Sequence, residues 1–144
     1  MSVKFLEFSK FKKMLNERNI DFLDFFVKKF GTTYVVAIMR EKCSGCERQK
    51  GLFEEISDKM KRQHGAHVEF FQVHAYYTPA SKEETLLCLD TFRTVAFPTY
   101  IICLRDHRGN NRETYRAIEP SASEIEENLE RSIELAKWFE QKKE

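Results

Sequence analysis

The sequence predicts an α/β protein with a mixed central β-sheet and helices on both faces. Three observations carry that expectation. From Asp21 onward, helical stripes and strand-like runs follow in the order α, β, α, β, α, β, β, α. Tyr34 to Met39 and Thr99 to Leu104 are almost continuously apolar and rich in β-branched residues, the pattern of strands buried on both faces. A turn over His107 to Asn111, containing Gly109-Asn110, joins the last two strands as a hairpin. Strands linked through helices pair in parallel, and the hairpin adds an antiparallel strand.

Each element has its own signal. Phe8, Phe11, Met14 and Leu15 have helical spacing, and Asn16 to Asn19 reads as the turn that follows. This helix belongs to an N-terminal extension that also holds a short edge strand at Val3 to Leu6. Asp21 is the N-cap of a second helix carrying Phe22, Phe25, Phe26 and Phe30, with Gly31 as its stop. After the Tyr34 strand, a helix with Leu52, Phe53, Ile56 and Met60 on one side runs to Gly65. His67 to His74 reads as a second central strand. Ser81 and Glu84 match a capping box that opens a helix through Leu86, Leu89 and Phe92. Glu113 to Ile118 closes the hairpin. Ser123 and Glu126 match a second capping box, ahead of a final helix with Ile125, Leu129, Ile133 and Ala136 on its apolar side.

The 144 residues suit a single domain, with an extension over 1–20, a core over 21–139 and a helix end over 140–144. Apolar residues make up 42% and charged residues 33%, a globular composition. A formal charge of +1 and the lack of a basic stripe with interleaved aromatics point away from nucleic acid. No run has a leader's apolar core or the length of a membrane span, so a soluble, cytoplasmic protein is expected. Tyr76-Tyr77 forms either an exposed patch or half-buried loop packing. Lys142-Lys143 reads as a solvated helix end.

Four cysteines are present: Cys43, Cys46, Cys88 and Cys103. The low cysteine density argues against a disulfide scaffold, and in a reducing compartment a close pair is redox-active or metal-binding. Cys43-Ser44-Gly45-Cys46 lies between a buried strand and a helix. A cysteine there meets unpaired backbone N–H groups, which favour thiolate over thiol. Arg40, Lys42 and Arg48 add positive charge, partly offset by Glu41 and Glu47. Cys43 is the candidate nucleophile. Cys46, one turn further in, is expected to be more buried and to resolve the mixed disulfide. Cys88 and Cys103 are expected in the core, with a second resolving or regulatory thiol as the alternative for Cys88.

On these residues the chain resembles the thioredoxin-like superfamily, over roughly Asp21 to Phe139. The resemblance rests on the strand–C-x-x-C–helix junction, the element order and the segment Val95-Ala96-Phe97-Pro98-Thr99. That segment looks like the family's stretch ending in a cis-proline. The resemblance implies a thioredoxin-like fold in which Pro98 packs beside the cysteine pair and the backbone of Phe97 pairs with a substrate peptide. Ser44, Gly45 and Lys42 complete the implied substrate-facing set. The chain departs from the family at four positions. Lys42 stands where a tryptophan is usual and Gly45 where a proline is usual. Ala37 stands at the place of a buried aspartate, and Gln72 at the place of its lysine partner. That pair helps move the proton of the buried cysteine in the family. Cys46 would here need water or another carboxylate, such as Glu41.

The leading expectation is a monomeric thiol–disulfide oxidoreductase, an enzyme of cell redox homeostasis. It needs no cofactor or metal, and it exchanges electrons with a protein disulfide substrate and with a protein or small-thiol partner. The sequence leaves open whether it acts as reductase, oxidase or isomerase. Two alternatives stand beside it: a binding or adaptor module with little turnover, and a metal site on the same cysteine pair. For the second, His64, His67, His74 and His107 offer no paired ligand spacing in a loop.

Overall fold

Seven consecutive residues of one strand, Thr33 to Met39, are buried. Such a strand needs cover on both faces, and the arrangement of the other elements supplies it. The computed structural model describes residues 2–142; Met1, Lys143 and Glu144 lie outside the described residues, and with them part of the expected 140–144 helix end. In chain order the elements are β1 (Val3–Glu7), α1 (Phe8–Arg18), α2 (Phe22–Phe26), β2 (Thr33–Arg40), α3 (Ser44–Arg48), α4 (Leu52–His64), β3 (Val68–Ala75), α5 (Glu83–Phe92), β4 (Thr99–Arg105), β5 (Asn111–Ile118) and α6 (Ala122–Lys142).

The five strands lie in the order β1-β3-β2-β4-β5. β1 and β2 pair with β3 in parallel, β4 runs antiparallel to β2, and β5 antiparallel to β4. This is the expected mixed α/β sheet with helices on both faces. The short strand at the N-terminus is present and runs one residue further than expected, to Glu7.

Period-2 alternation along β2 sends Val36 and Ile38 to one face and Val35, Ala37 and Met39 to the other. The first face is covered by α1, α2 and α5, and its filling is aromatic: Phe8, Phe11, Phe22, Phe26 and Phe92 are all essentially inaccessible. Phe11 stacks on Phe26 and Phe92 at 5.2 and 5.4 Å and meets Phe25 edge-on at 4.9 Å. The second face is covered by α4 and α6 through Phe53, Ile56, Met60, Ile125, Leu129 and Ile133. Cys88 and Cys103 both lie in the first core, buried as expected of small hydrophobes.

Several local expectations are corrected. α1 continues through Arg18, so the turn begins only at Asn19, whose φ of +53° closes the helix in the left-handed region. Asp21 does cap α2, accepting from the Asp24 N–H at 3.1 Å. That helix ends at Phe26, however, and Phe30 is not part of it. The helix after the cysteine pair is two helices, α3 and α4, separated over Gln49 to Gly51. His67 belongs to a 3₁₀ turn ahead of β3, and β5 starts at Asn111 instead of Glu113.

Both capping boxes are also revised. Glu84 does not return to Ser81; its carboxylate accepts the Tyr76 N–H, and Lys82 is the N-cap of α5. The buried face of α5 is Cys88 and Phe92, while Leu86 is 61% exposed. At α6 the box runs from Ser121 to Glu124: Ser121 Oγ accepts the Glu124 N–H at 3.2 Å, and the Glu124 carboxylate returns to the Ser121 N–H. Glu126 pairs instead with Lys59 of α4 at 2.5 Å.

Two substitutions test this packing. Phe11→Ala removes the ring that joins α1 to α2 and α5, and a loss of about 3–5 kcal/mol in urea unfolding is expected. A loss below about 1 kcal/mol would detach α1 from the core. Ser121→Ala is expected to cost about 1 kcal/mol, and Ser123→Ala clearly less, in the same measurement. The reverse ranking would restore the box to Ser123.

Candidate redox site

Because β2 is central, the chain leaving it emerges in the middle of the sheet's edge, next to the start of β4. Arg40 ends β2, Glu41 and Lys42 turn, and Cys43 becomes the N-cap of α3. Lys42 makes that turn with φ of +53°, a conformation few side-chain-bearing residues adopt. The Cys43 sulfur then does what an oxygen does at an ordinary N-cap: it accepts the Cys46 N–H at 3.2 Å. This contact holds the two cysteines together, Cys43 half-buried and Cys46 buried.

Across from Cys43 lies the entry to β4. The Phe97–Pro98 peptide is cis, and the Phe97 carbonyl accepts from the Cys43 thiol at 3.6 Å. The segment is pinned from behind. Thr99 Oγ1 donates to the Ala96 carbonyl at 2.7 Å and shares a hydrogen bond with Thr94 Oγ1 at 2.7 Å. Phe97, Pro98, Gly45 and Lys42 thus all come to the neighbourhood of the cysteine pair, and Ser44 sits exposed between the two sulfurs in the chain.

Gly45 has a specific reason to lack a side chain. A Cβ there would lie 2.6 Å from a Glu119 carboxylate oxygen and 3.0 Å from Pro98 Cδ. Glu119 follows β5, takes φ of +45°, and donates its N–H to the Pro98 carbonyl at 2.9 Å. Its carboxylate is gripped by Arg48 of α3 through two N–H bonds of 2.9 and 2.7 Å. That fork holds the Glu119 carboxyl below the usual carboxylate range. Gln49 extends the stitching, donating Nε2 to the Pro120 carbonyl at 2.7 Å. Three chain segments, far apart in sequence, therefore meet at the pair.

Electrostatically the two thiols sit differently. Burial, reinforced by the hydrogen bond and charge of Cys43, pushes the Cys46 thiol up to about 12, against a lowering pull from Arg40. No ionisable couple stands behind it. Ala37 and Gln72 are direct partners in the β2–β3 register, and both are neutral. Tyr100 of β4 pairs with Ala37 from the other side. Its ring packs edge-on to Phe53, and its buried hydroxyl has no hydrogen-bond partner among the described residues. Burial and the nearness of Cys46 and Glu119 raise that hydroxyl's pKa, so it stays a neutral donor.

Beside the pair a cleft of about 320 Å³ opens, bounded by Arg40, Glu41, Lys42, Cys46, Lys50 and His74 among others. Glu41 therefore shares a cleft with Cys46, though its carboxylate accepts the Tyr77 N–H at 3.0 Å. Among the described residues no group of three or more histidines, cysteines or carboxylates is arranged to hold a metal ion. No described helix is long and apolar enough to cross a membrane. Tyr76 is exposed and Tyr77 half-buried, so the tyrosine pair divides between the two readings.

Sequence reasoning missed Glu119, Tyr77 and Tyr100. Glu119 had one local sign, its place just before Pro120 at a strand end. Tyr100 had none, since a tyrosine in an apolar run reads as core.

No protein-family model matches the chain, and no curated protein sequence does. Solved structures do. A thioredoxin from Fasciola hepatica superposes with a TM-score of 0.55 at 17% identity, covering 89% of this chain and 97% of that one. A thioredoxin from Malassezia sympodialis gives 0.57 at 16%, covering 92% and 91%. A thioredoxin f2, solved in complex with ferredoxin:thioredoxin reductase, gives 0.56 at 11%, covering 91% and 94%. The likeness is one of chain path and extends over nearly the whole length of both partners. With its mixed five-stranded sheet and flanking helices, this chain has the thioredoxin-like fold.

Proposed function

We propose that the chain is a thiol–disulfide oxidoreductase in which Cys43 is the nucleophile and Cys46 the resolving thiol. The observation that carries this reading is the pair of contacts on the Cys43 sulfur: the Cys46 N–H at 3.2 Å and the Phe97 carbonyl at 3.6 Å. A sulfur so placed is reachable from solvent, receives a hydrogen bond that stabilises negative charge, and has its resolving partner one turn away. Cys43 attacks a substrate disulfide and forms a mixed disulfide, and the departing thiolate leaves with the bonding electrons. Cys46 then loses its proton and attacks Cys43, closing the intramolecular disulfide and releasing the second thiol. Phe97, Pro98, Ser44, Gly45 and Lys42 form the surface over which the substrate chain would lie.

Electrons would come from, or pass to, another thiol protein or a small thiol. The thioredoxin f2 that shares this fold was solved in complex with a reductase, and a partner of that class suits this chain as well. Without a bound cofactor, one monomer in a reducing compartment such as the cytoplasm would suffice. One observation favours the adaptor reading: the neutral Ala37–Gln72 neighbours offer no group to carry the Cys46 proton. Slow resolution with intact mixed-disulfide formation would follow from it.

Two measurements address these readings. In insulin reduction with dithiothreitol, Cys43→Ser is expected to abolish turnover. Cys46→Ser is expected to accumulate mixed disulfides that Cys43→Ser cannot form. Full activity in Cys43→Ser overturns the proposal. The second measurement follows release of a small thiol from Cys43 capped as a mixed disulfide. Burial, the largest cause that raises the Cys46 thiol, persists when Cys43 is capped, so the Cys46 thiolate fraction grows with pH throughout the neutral range. Release is expected to quicken about tenfold per pH unit between about pH 6 and 9, without a plateau. A plateau near neutrality would show that a base in the cleft relieves Cys46 of its proton.

A further inference from the structure

Cations and carboxylates around the cysteine pair are unequally engaged. Arg48 and Glu119 neutralise one another in a two-pronged ion pair. The Glu41 carboxylate accepts a backbone N–H from Tyr77. Against the carboxylates of Glu41 and Glu47 stand three cations, Arg40, Lys42 and Lys50, none of which makes an ion pair among the described residues.

Arg40 is also held rigidly. Its guanidinium lies 4.6 Å from the Tyr77 ring centre and 5.6 Å from that of Phe97. Nε donates to the Glu41 carbonyl at 3.0 Å and Nη2 to the Lys42 carbonyl at 3.2 Å. A guanidinium fixed between two rings keeps N–H groups for a carboxylate and loses little freedom on binding one. The Lys42 ammonium stands over the same Tyr77 ring at 5.8 Å. Arg40, Lys42 and Lys50, with Glu41, Glu47 and His74, line the cleft of about 320 Å³ that reaches Cys46.

We propose that this cleft is an anion-recognition surface that selects disulfides carrying a carboxylate close to the sulfur. The inference rests on the exchange chemistry proposed above and names its substrate class. The reaction balances without another reagent. The reduced pair gives two electrons and two protons to the substrate disulfide, the Cys43–Cys46 disulfide forms, and two substrate thiols leave, one or both bearing the carboxylate.

The test compares three small disulfides on the reduced full-length protein: dithiodiglycolate, a dianion; hydroxyethyl disulfide, neutral; and cystamine, a dication. Each rate is divided by that disulfide's rate with free dithiothreitol, which removes intrinsic reactivity. At low salt the normalised dianion rate is expected to exceed the dication rate about tenfold. Raising ionic strength from about 0.01 M to about 1 M cuts the Debye length from about 30 to about 3 Å and is expected to collapse most of that ratio. Lys42→Glu is expected to lower the ratio at least about threefold, and Lys50→Glu serves should the Lys42 variant not fold. Lys137→Glu makes the same change in net charge on distant α6 and is expected to leave the ratio in place. A ratio near one, or one that Lys137→Glu moves as much as Lys42→Glu, overturns the cleft's role and leaves the exchange reading standing. Reaction no faster than a simple thiol with all three disulfides overturns the exchange reading itself.

Discussion

The register of three strands makes the site. β2 and β4 are antiparallel with Ile38 opposite Thr99, so the chain leaves β2 beside the entry to β4, where Cys43 meets the Phe97 carbonyl just before Pro98. β4 and β5 are antiparallel with Thr99 opposite Ile118, so the next residue, Glu119, also arrives at Pro98. Cys43 reaches Phe97, and Glu119 reaches Pro98, because these pairings fix where each strand stops. A slip of one residue in β4 would send Ile101 and Cys103 to the wrong core and carry Pro98 away from the sulfur. The apolar filling of the two faces is therefore what keeps the site assembled: phenylalanines on one side and the Phe53–Tyr100 layer on the other make any other register costly.

The same packing decides the chemistry of the second thiol. Where the resemblance leads one to expect an aspartate and a lysine, Ala37 and Gln72 sit side by side, and Tyr100 fills the space against Ala37 from β4. Replacing a charged couple with an aromatic ring avoids burying charge, which is expensive without strong compensation. The consequence passes to Cys46. Its thiol now feels mainly the loss of water, and burial raises its pKa. The wall behind the site carries no charge, and the rise at Cys46 comes from burial together with the hydrogen bond and charge of Cys43.

Legibility in the sequence followed the range of the interactions. β2 and β4 could be read because burial on both faces forces an unbroken apolar run, a property of the strand alone. The C-x-x-C junction and the proline ahead of β4 could be read because each is a local pattern at the end of such a run. Caps were less secure, since Ser-x-x-Glu occurs in several registers and the carboxylate has competitors. Glu84 went to the Tyr76 N–H and Glu126 to Lys59, leaving Ser121–Glu124 as the box that forms. The break between α3 and α4 was missed because the apolar stripe resumes in phase on the far side. The Arg48–Glu119 fork spans 71 residues, and nothing in either neighbourhood announces it.

Backbone conformation adds an independent mark on the same place. Four residues other than glycine have positive φ among those described: Asn19, Lys42, Arg93 and Glu119. Asn19 and Arg93 close α1 and α5, where the left-handed region is the ordinary way to end a helix. Lys42 and Glu119 end no helix, and they flank the cysteine pair. Glu119 also precedes Pro120, whose ring pushes the preceding residue toward extended conformations. Each such residue costs on the order of 1 kcal/mol or more, so neighbouring contacts must hold it. For Glu119 those contacts are the N–H to Pro98 and the grip of Arg48; for Lys42, the Arg40 bond to its carbonyl. The Glu119 turn thus presents the carboxylate that Arg48 grips, and the Lys42 turn presents the carbonyl that holds Arg40. One arginine is neutralised by its partner and the other is free of any carboxylate among the described residues. Of the two arginines, Arg40 is therefore the one with charge left for an incoming anion.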